Sequence, residues 1–547
     1  MKIPQSATSE NSPGLIIVQI DGMSRPVLDD LLSSGRMPVL SSMVSSGRLA
    51  VQGWVPLLPP CTPASQAGIL HGRNDEIPGF RWFEKSTGRL LVANRAKDAA
   101  EIEGRLSDGG GLLAGAGVSV GNLLAGDAAY SHLTMATIEG DGPPRGSGDR
   151  GGYPLNPWSY LRITFGMIAE LLDEIVGARR QRLDDVRPRM PRGPRYALER
   201  IIANVPLRIL STSMVINEIR HGRPIIYVDY TGYDEIAHHC GPGRPDSYGA
   251  AEKIDRSIGH ILDAFATAPR PYHVVVLSDH GQSVGASFRQ RYGISLARLI
   301  AARIGLGTTF RAALQPAEYA DGLTRMLHHV AGPRVAGGVE GLLELVNRAR
   351  RRSTNRRGDG GNAEVSSSTD TQVADVVVCA SGNLGLVYFT SSPGRMTREG
   401  IESRYPGLID ALVLHPGIGM IVVRAEQGTV ALGPGGINFL DEGRVDGHDP
   451  LAAYGPTAAA GLLRVAGFEN SGDLIAIGVH DVATDEVVSL EELVGSHGGL
   501  GGPQGEAFIA YPAAWRLDEE SLIGSPAINS QLRRWMSDLR AGAAVTS

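Results

Sequence analysis

Gly14 to Gly22 reads "GLIIVQIDG": a short continuous apolar run that stops on Asp21-Gly22. A run of this length without alternation is the signature of a strand buried on both faces, as in a parallel sheet. Two later stretches repeat the form. "PIIYVDYTG" begins at Pro224 and "YHVVVLSDHG" at Tyr272, and each ends in polar residues. Between them Ile254, Ile258, Ile261, Leu262 and Phe265 recur at helical spacing. After the first strand, "RPVLDDLLSSGRMPVLSSMVSSG" predicts a helix in two pieces, broken near Pro38. Strands alternating with helices predict an α/β fold with a mostly parallel central sheet flanked by helices. In such sheets ligands bind beyond the carboxyl ends of the strands. Asp21, Asp234, Asp279 and His280 all fall at or just after such ends.

The rest of the chain divides around this core. Residues 1–94, 206–298 and 376–547 are expected to form it, with two inserted segments between them. The segment 95–205 is Gly-rich, then basic and helical ("YLRITFGMIAELLDEIVGARRQR"), and reads as an inserted cap. The apolar face of its helix is expected to pack on the core rather than touch a membrane. The segment 299–375 begins helical and runs into "RARRRSTNRRGDGGNAEVSSSTDTQ", a charged Gly/Ser-rich tract without apolar period. It predicts a flexible surface loop. Its basic run 348–357 is ordinarily a solvated surface, with an anionic partner or a lipid surface as the minority reading.

Composition narrows the function classes. The chain has 547 residues, 42% of them hydrophobic, and a net charge of -6, which gives no reason to expect nucleic acid as a partner. Cys61, Cys240 and Cys379 are odd in number and scattered, so a disulfide framework is not expected. No apolar run reaches membrane-spanning length, and the polar start "MKIPQSATSENSPG" has no signal-peptide core. The cytoplasm is the default compartment for the chain as given, although a longer parent protein could carry a membrane segment. Oligomeric state is not legible.

The chemistry-bearing residues form a set. "YDEIAHH" places Asp234 and His238 four apart, on one face if the segment is helical. "SDHG" places Asp279 and His280 directly after a strand, and "GSHGGLGGP" offers His497 in a glycine-rich loop. Asp21 closes the first strand. Each alone has an ordinary explanation as a turn, cap or surface residue. Together, mixed Asp/His donors suit zinc, with manganese or iron as alternatives, and the number of donors allows two ions. A pair of divalent ions is a device for phosphoryl transfer, and it needs a hydroxyl.

That hydroxyl is sought in "LPPCTPASQAGILHG", Leu58 to Gly72. The ordered series "IDGMSR", "CTPASQAGILHG", "YDEIAHHCGP", "SDHG" and "SHGG" resembles the alkaline phosphatase superfamily, and within it the type I phosphodiesterase/nucleotide pyrophosphatase branch. The resemblance implies an alkaline phosphatase-like fold and a hydrolase of phosphate esters. The family's nucleophilic Thr is followed ten residues on by a Gly, and Gly72 stands there relative to Thr62. By the same resemblance Asp21, Thr62, Asp279 and His280 would hold one ion, and Asp234, His238 and His497 the other. His239 is out of register, and Asp229 and Glu235 are expected to be structural.

The rival sulfatase register would convert Cys61 to formylglycine. Ser65 stands where its Arg should be, and the spacing from Cys61 to Gly72 is one too long. Pro63 lies one place earlier after Thr62 than the family's Pro, which keeps the Cys61 register open. Ser65 replaces the family pattern's Asn and would by resemblance donate to a phosphoryl oxygen; Gln66 replaces its His. A phosphodiester or pyrophosphate, nucleotide-like or otherwise small, is the expected substrate. Phosphomonoester or phosphonate hydrolysis is the alternative, then sulfate hydrolysis or headgroup transfer. A non-catalytic scaffold would have lost a ligand or the nucleophile, and all seven expected positions are filled. The aromatics of "GFRWFEK" leave two readings open, a wall for the substrate's second substituent or core.

Overall fold

The structure, a computed structural model, describes residues 12–138, 157–305, 308–313, 374–517 and 522–542. The basic run 348–357 and the proposed loop around it lie outside the described residues. The first strand, Gly14–Ile20, is buried along its whole length and lies inside an eight-stranded sheet. Its neighbours Ile225–Tyr230 and Tyr272–Leu277 both run parallel to it. The register pairs Gln19 with Leu277 and with Asp229. Two residues beyond the first pair come Asp21 and Asp279, so the parallel register itself brings those carboxylates level. Strand Leu49–Val55 and the late strand Ala507–Pro512 complete one side, the latter antiparallel to Tyr272–Leu277. The sheet is thus mostly parallel and flanked by helices, among them Arg25–Ser33, Pro38–Ser45 and Pro245–Ala264.

Two features depart from the segment boundaries read in the sequence. The stretch 95–205 is not one inserted cap. Its short strands Val118–Val120 and Tyr130–His132 extend the central sheet, parallel to Ile225–Tyr230. Strands of three residues carry no pattern a sequence reading can separate from loop. The long helix Pro157–Leu183 does stand apart from the sheet, but its apolar face points outward. Seven of its large apolar side chains, Leu161 to Val176, are between 41% and 68% exposed.

The strands between Val376 and Gly478 also go elsewhere than expected. They build a second eight-stranded sheet, antiparallel except where Phe310–Ala313 pairs with Val376–Ser381. Leu386, Met420 and Val422 of that sheet share one apolar core with Leu15, Ile17 and Val275 of the central sheet. The hairpin turn Ser381–Asn383 lies under the loop carrying His497. Gly382 has φ +58°, and a Cβ there would come within 1.9 Å of the His497 carbonyl oxygen. A glycine is therefore what lets the second sheet support that loop.

Candidate active site

Thr62 is the first residue of helix Thr62–His71, and its hydroxyl faces the strand ends. Its Oγ1 lies 3.4 Å from Asp21 Oδ1 and 3.2 Å from His280 Nε2. His280 Nε2 in turn is 3.3 Å from Asp279 Oδ2. The turn after the first strand locks this geometry. The Gly22 N–H donates to Asp279 Oδ1 at 3.2 Å, and a Cβ on Gly22 would stand 2.0 Å from Asp234 Oδ1. Only glycine allows the carboxylates of two strand ends and of helix Gly232–Cys240 to meet there.

That helix places Asp234 and His238 one turn apart, with His238 Nε2 3.0 Å from Asp234 Oδ2. His497 arrives from its glycine loop with Nε2 3.9 Å from Asp234 Oδ1. Its ring stacks on His280 at 3.8 Å between centroids and lies 5.0 Å from His238. The structure thus brings Asp21, Thr62, Asp234, His238, Asp279, His280 and His497 together. Two sets of donors lie close enough to share a cation, Asp21/Asp279/His280 and Asp234/His280/His497. His280 belongs to both, a more intimate arrangement than two separate groups.

All three imidazoles are oriented the same way. His238 Nδ1 donates to Gly495 O at 2.8 Å, His280 Nδ1 to Gly281 O at 3.0 Å, and His497 Nδ1 to Pro60 O at 3.0 Å. A carbonyl only accepts, so each Nδ1 carries a proton and each Nε2 presents its second nitrogen to the site. Burial, followed by the neighbouring Asp279, Asp229 and Asp234, pushes the Asp21 carboxyl well above the usual range. Burial raises Asp279 too, against the pull of His280 and with Asp234 adding. Burial also opposes ionisation of Asp234, but His238 outweighs it and holds that carboxyl far below its usual value. For His238 burial acts against the charge, and Asp234 raises the ring to about 9. Burial and the adjacent His280 hold His497 well below its usual value. Asp279 Oδ2 and Asp229 Oδ1 are buried without a hydrogen-bond partner. Crowded carboxylates, orphan oxygens and convergent Nε2 atoms fit divalent cations.

A cavity opens beside Thr62. Asp21, Asp229 and Asn94 line it, and Leu123, Leu133, Met135 and Leu207 form its apolar wall, with Arg208 also facing it. Ser65 does not line it. It is buried on the Thr62 helix, at 2% exposed, so the expected phosphoryl donor is not placed at the cavity. Asn94 is, with its Oδ1 unpartnered, and sequence reasoning missed it: it follows the short strand Arg89–Val92 at no telling distance from Thr62. Phe80 lines the cavity while Trp82 and Phe83 are core, so the aromatic stretch divides between its two readings. Gln66 has a structural task. Its Nε2 donates to Asp229 Oδ2 at 2.9 Å, and its Oε1 accepts from Leu123 N at 2.9 Å. Asp229, expected to be only structural, therefore faces both Gln66 and the cavity.

Cys61 is fully buried, and burial pushes its thiol up to about 12. His239 stacks 4.2 Å from the Tyr196 ring, and burial lowers it to about 3. A further cluster, His71, Glu103 and Asp127, is taken up in holding loops. Glu103 accepts from Ala125 N at 2.9 Å, and Asp127 accepts from Gly111 N at 2.8 Å.

The sequence profile described as "Type I phosphodiesterase / nucleotide pyrophosphatase" matches residues 15–304, more than half of the 547. The chain belongs to this family. It is accordingly a phosphoric ester hydrolase. Three solved structures are similar to this phosphodiesterase-family chain over nearly its whole length. Phosphonoacetate hydrolase from Sinorhizobium meliloti 1021, in complex with phosphonoformate, is 14% identical, with 96% of each chain covered and a TM-score of 0.43. Murine ectonucleotide pyrophosphatase/phosphodiesterase 5, an inactive form in complex with AMP, is 10% identical, with 96% of this chain and 95% of that chain covered and a TM-score of 0.45. The alkaline phosphatase PafA is 10% identical, with 97% of each chain covered and a TM-score of 0.47. No curated protein matches.

Proposed function

We propose that this chain hydrolyses phosphodiesters or pyrophosphates through a phosphothreonine on Thr62. The observation that carries the reading is the Thr62 hydroxyl at a helix N-terminus, within 3.4 Å of Asp21 Oδ1 and 3.2 Å of His280 Nε2. Asp21, Asp279 and His280 with Thr62 would hold one divalent cation, and Asp234, His238 and His497 the other. Zinc suits these donors best, with manganese or iron as alternatives. Bound there, such ions would neutralise phosphoryl charge and favour the alkoxide form of a hydroxyl.

The chain's own residues supply the rest. Asp21 Oδ1 and His280 Nε2 are the two acceptors in reach of the Thr62 proton. Oγ1 then attacks phosphorus in line, the Oγ1–P bond forms, and the P–O bond to the leaving group breaks; water protonates the departing oxygen as needed. A second water attacks the phosphothreonine from the vacated side, which frees Thr62 and gives net retention. The positive end of helix Thr62–His71 faces the anion. Asn94, which lines the cavity, would offer its Nδ2 amide to a phosphoryl oxygen in place of Ser65. The apolar wall of Leu123, Leu133, Met135 and Leu207 favours a second substituent on phosphorus, and so a diester over a monoester. The test compares bis(p-nitrophenyl) phosphate, p-nitrophenyl phosphate and p-nitrophenyl sulfate in one assay. Turnover of the diester should dominate, and preference for the sulfate would overturn the reading.

A further inference from the structure

The helix Pro157–Leu183 is amphipathic in reverse. Surface helices ordinarily bury the apolar stripe and expose the charges. Here Glu170 and Glu174 are buried, and Arg200 bonds them at 2.7 and 2.8 Å. Lys253 also reaches Glu170, and Arg192 reaches Glu174 at 2.8 Å. Leu161, Phe165, Ile168, Leu172, Ile175 and Val176 face outward instead. At 3.6 residues per turn these residues, with Leu171, span an arc of about 140°. That is wider than the two-position seam of a coiled coil.

The rim of the stripe is cationic. Arg162 at one end, and Arg179, Arg180 and Arg182 at the other, are exposed. None of the four has a carboxylate within ion-pairing distance among the described residues. The nearby acids are largely spoken for. Asp173 pairs with Lys253, and Asp185 pairs with Arg187 and Arg189, which leaves Asp184. We propose that this face docks the protein onto the surface of an anionic lipid bilayer. An apolar stripe settled at the headgroup boundary, with arginines among lipid phosphates, is how an interfacial helix binds. Two copies of this chain joined through the face would bring their arginine-rich ends into one interface and offer only Asp184 in exchange. Among the described residues no helix is long and apolar enough to cross a membrane, so the mode is lying on the bilayer. The surface adjoins the candidate active site. Leu161, Arg162 and Phe165 wall a surface pocket with Arg208, and Arg208 also lines the cavity beside Thr62.

The test is co-sedimentation of the full chain with vesicles of phosphatidylcholine alone and of phosphatidylcholine with phosphatidylglycerol. The protein should partition onto the anionic vesicles at least about tenfold more strongly, and salt should weaken the binding. The double variant Ile168→Glu/Leu172→Glu should lose about tenfold or more of that binding, with hydrolysis of a soluble diester unchanged. Arg179→Glu/Arg180→Glu, which leaves the apolar stripe alone, should remove the preference for anionic lipid. Wild-type protein that stays in the supernatant with both vesicles overturns the proposal, as does binding that neither double variant alters. A dimer in sedimentation equilibrium that Ile168→Glu/Leu172→Glu dissolves, with no vesicle capture, assigns the face to a second copy instead. The soluble-diester assay on the same preparation reads the hydrolase proposal separately.

Discussion

Under the long outer helix, Glu170, Glu174 and Arg200 are buried, the half-buried Arg192 and Asp246 pair with them, and Lys253 reaches in from the side. At the ends of the central strands, Asp21, Asp229, Asp234 and Asp279 are just as buried. Among the described residues no lysine or arginine lies within ion-pairing distance of them, and only imidazoles do. The consequences for ionisation are opposite. Burial works against Glu170 and Asp246, yet Lys253, Arg192 and Arg200 bring both below their usual carboxylate values. Burial and mutual repulsion instead drive Asp21 and Asp229 well above theirs. A chain that can neutralise a buried acid cluster in one place and does not in another has left room for cations from solution in the second. The first region is a fastening and the second a site.

The largest effect should come from the Thr62 hydroxyl, which lies against Asp21 and His280. Thr62→Ala should lower turnover of bis(p-nitrophenyl) phosphate by a factor on the order of 10³ or more. Metal content by elemental analysis should be unchanged or nearly so, since Asp21, Asp279 and His280 remain. A variant with wild-type turnover would show that the nucleophile lies elsewhere.

Removing cations tests the comparison itself. A strong chelator should abolish activity, and added zinc, manganese or iron should restore it. Chelation should also lower the melting temperature by several degrees, because Asp21, Asp229 and Asp279 would lose a counter-charge that no lysine or arginine among the described residues supplies. If chelation leaves both activity and melting unchanged, the strand-end acids are neutralised by some other means and the contrast is false.

The fastening should break in the manner of a buried ion pair. Arg200→Met strands Glu170, Glu174 and Asp246 with reduced compensation, at a cost of about 3–5 kcal/mol by denaturant unfolding. Activity per folded molecule and chelator sensitivity should persist. The same region sets a pH dependence. Glu170 and Asp246 have folded values below their unfolded ones, 4.5 and 3.8. Their stabilisation is complete above about pH 4.5 and is lost as pH falls through the depressed folded values. Hydrogen exchange across Pro157–Leu183 should therefore quicken on acidification below that range, and should do so less in Arg200→Met, where part of the pairing is already gone.

The site was far more legible in the sequence than the fastening, for a physical reason. Asp21 and Asp279 close continuous apolar strands, and a parallel register carries two such ends to one level. Asp234 and His238 are held by helical spacing within a single element. Such constraints are local and survive in one dimension. Asn94 has no such constraint, because a short hairpin and a loop decide where it lies. The strands Val118–Val120 and Tyr130–His132 are too short to show a period, which is why the segment 95–205 reads as a cap. The helix Pro157–Leu183 misleads for a different reason. Its apolar period is real, but the partners of Glu170 and Glu174 come from elsewhere in the chain and turn the helix over.

The smallest expected effect decides between the two registers of the loop proposed to carry the nucleophile. Cys61 precedes Thr62 and occupies the helix N-cap without a side-chain capping bond. Its sulfur is in the apolar core, fully buried, with the thiol pushed up to about 12 by desolvation. Nothing there would expose a reactive thiolate or admit a modifying enzyme to the folded protein. Cys61→Ala removes one buried sulfur and should cost about 1–2 kcal/mol of stability, as a small core cavity does. Diester turnover should stay within about twofold of wild type, since the Thr62 backbone keeps its place at the helix start. Loss of activity in Cys61→Ala together with survival in Thr62→Ala would transfer the chemistry one residue back. It would also leave the Thr62 contacts to Asp21 and His280 without a task.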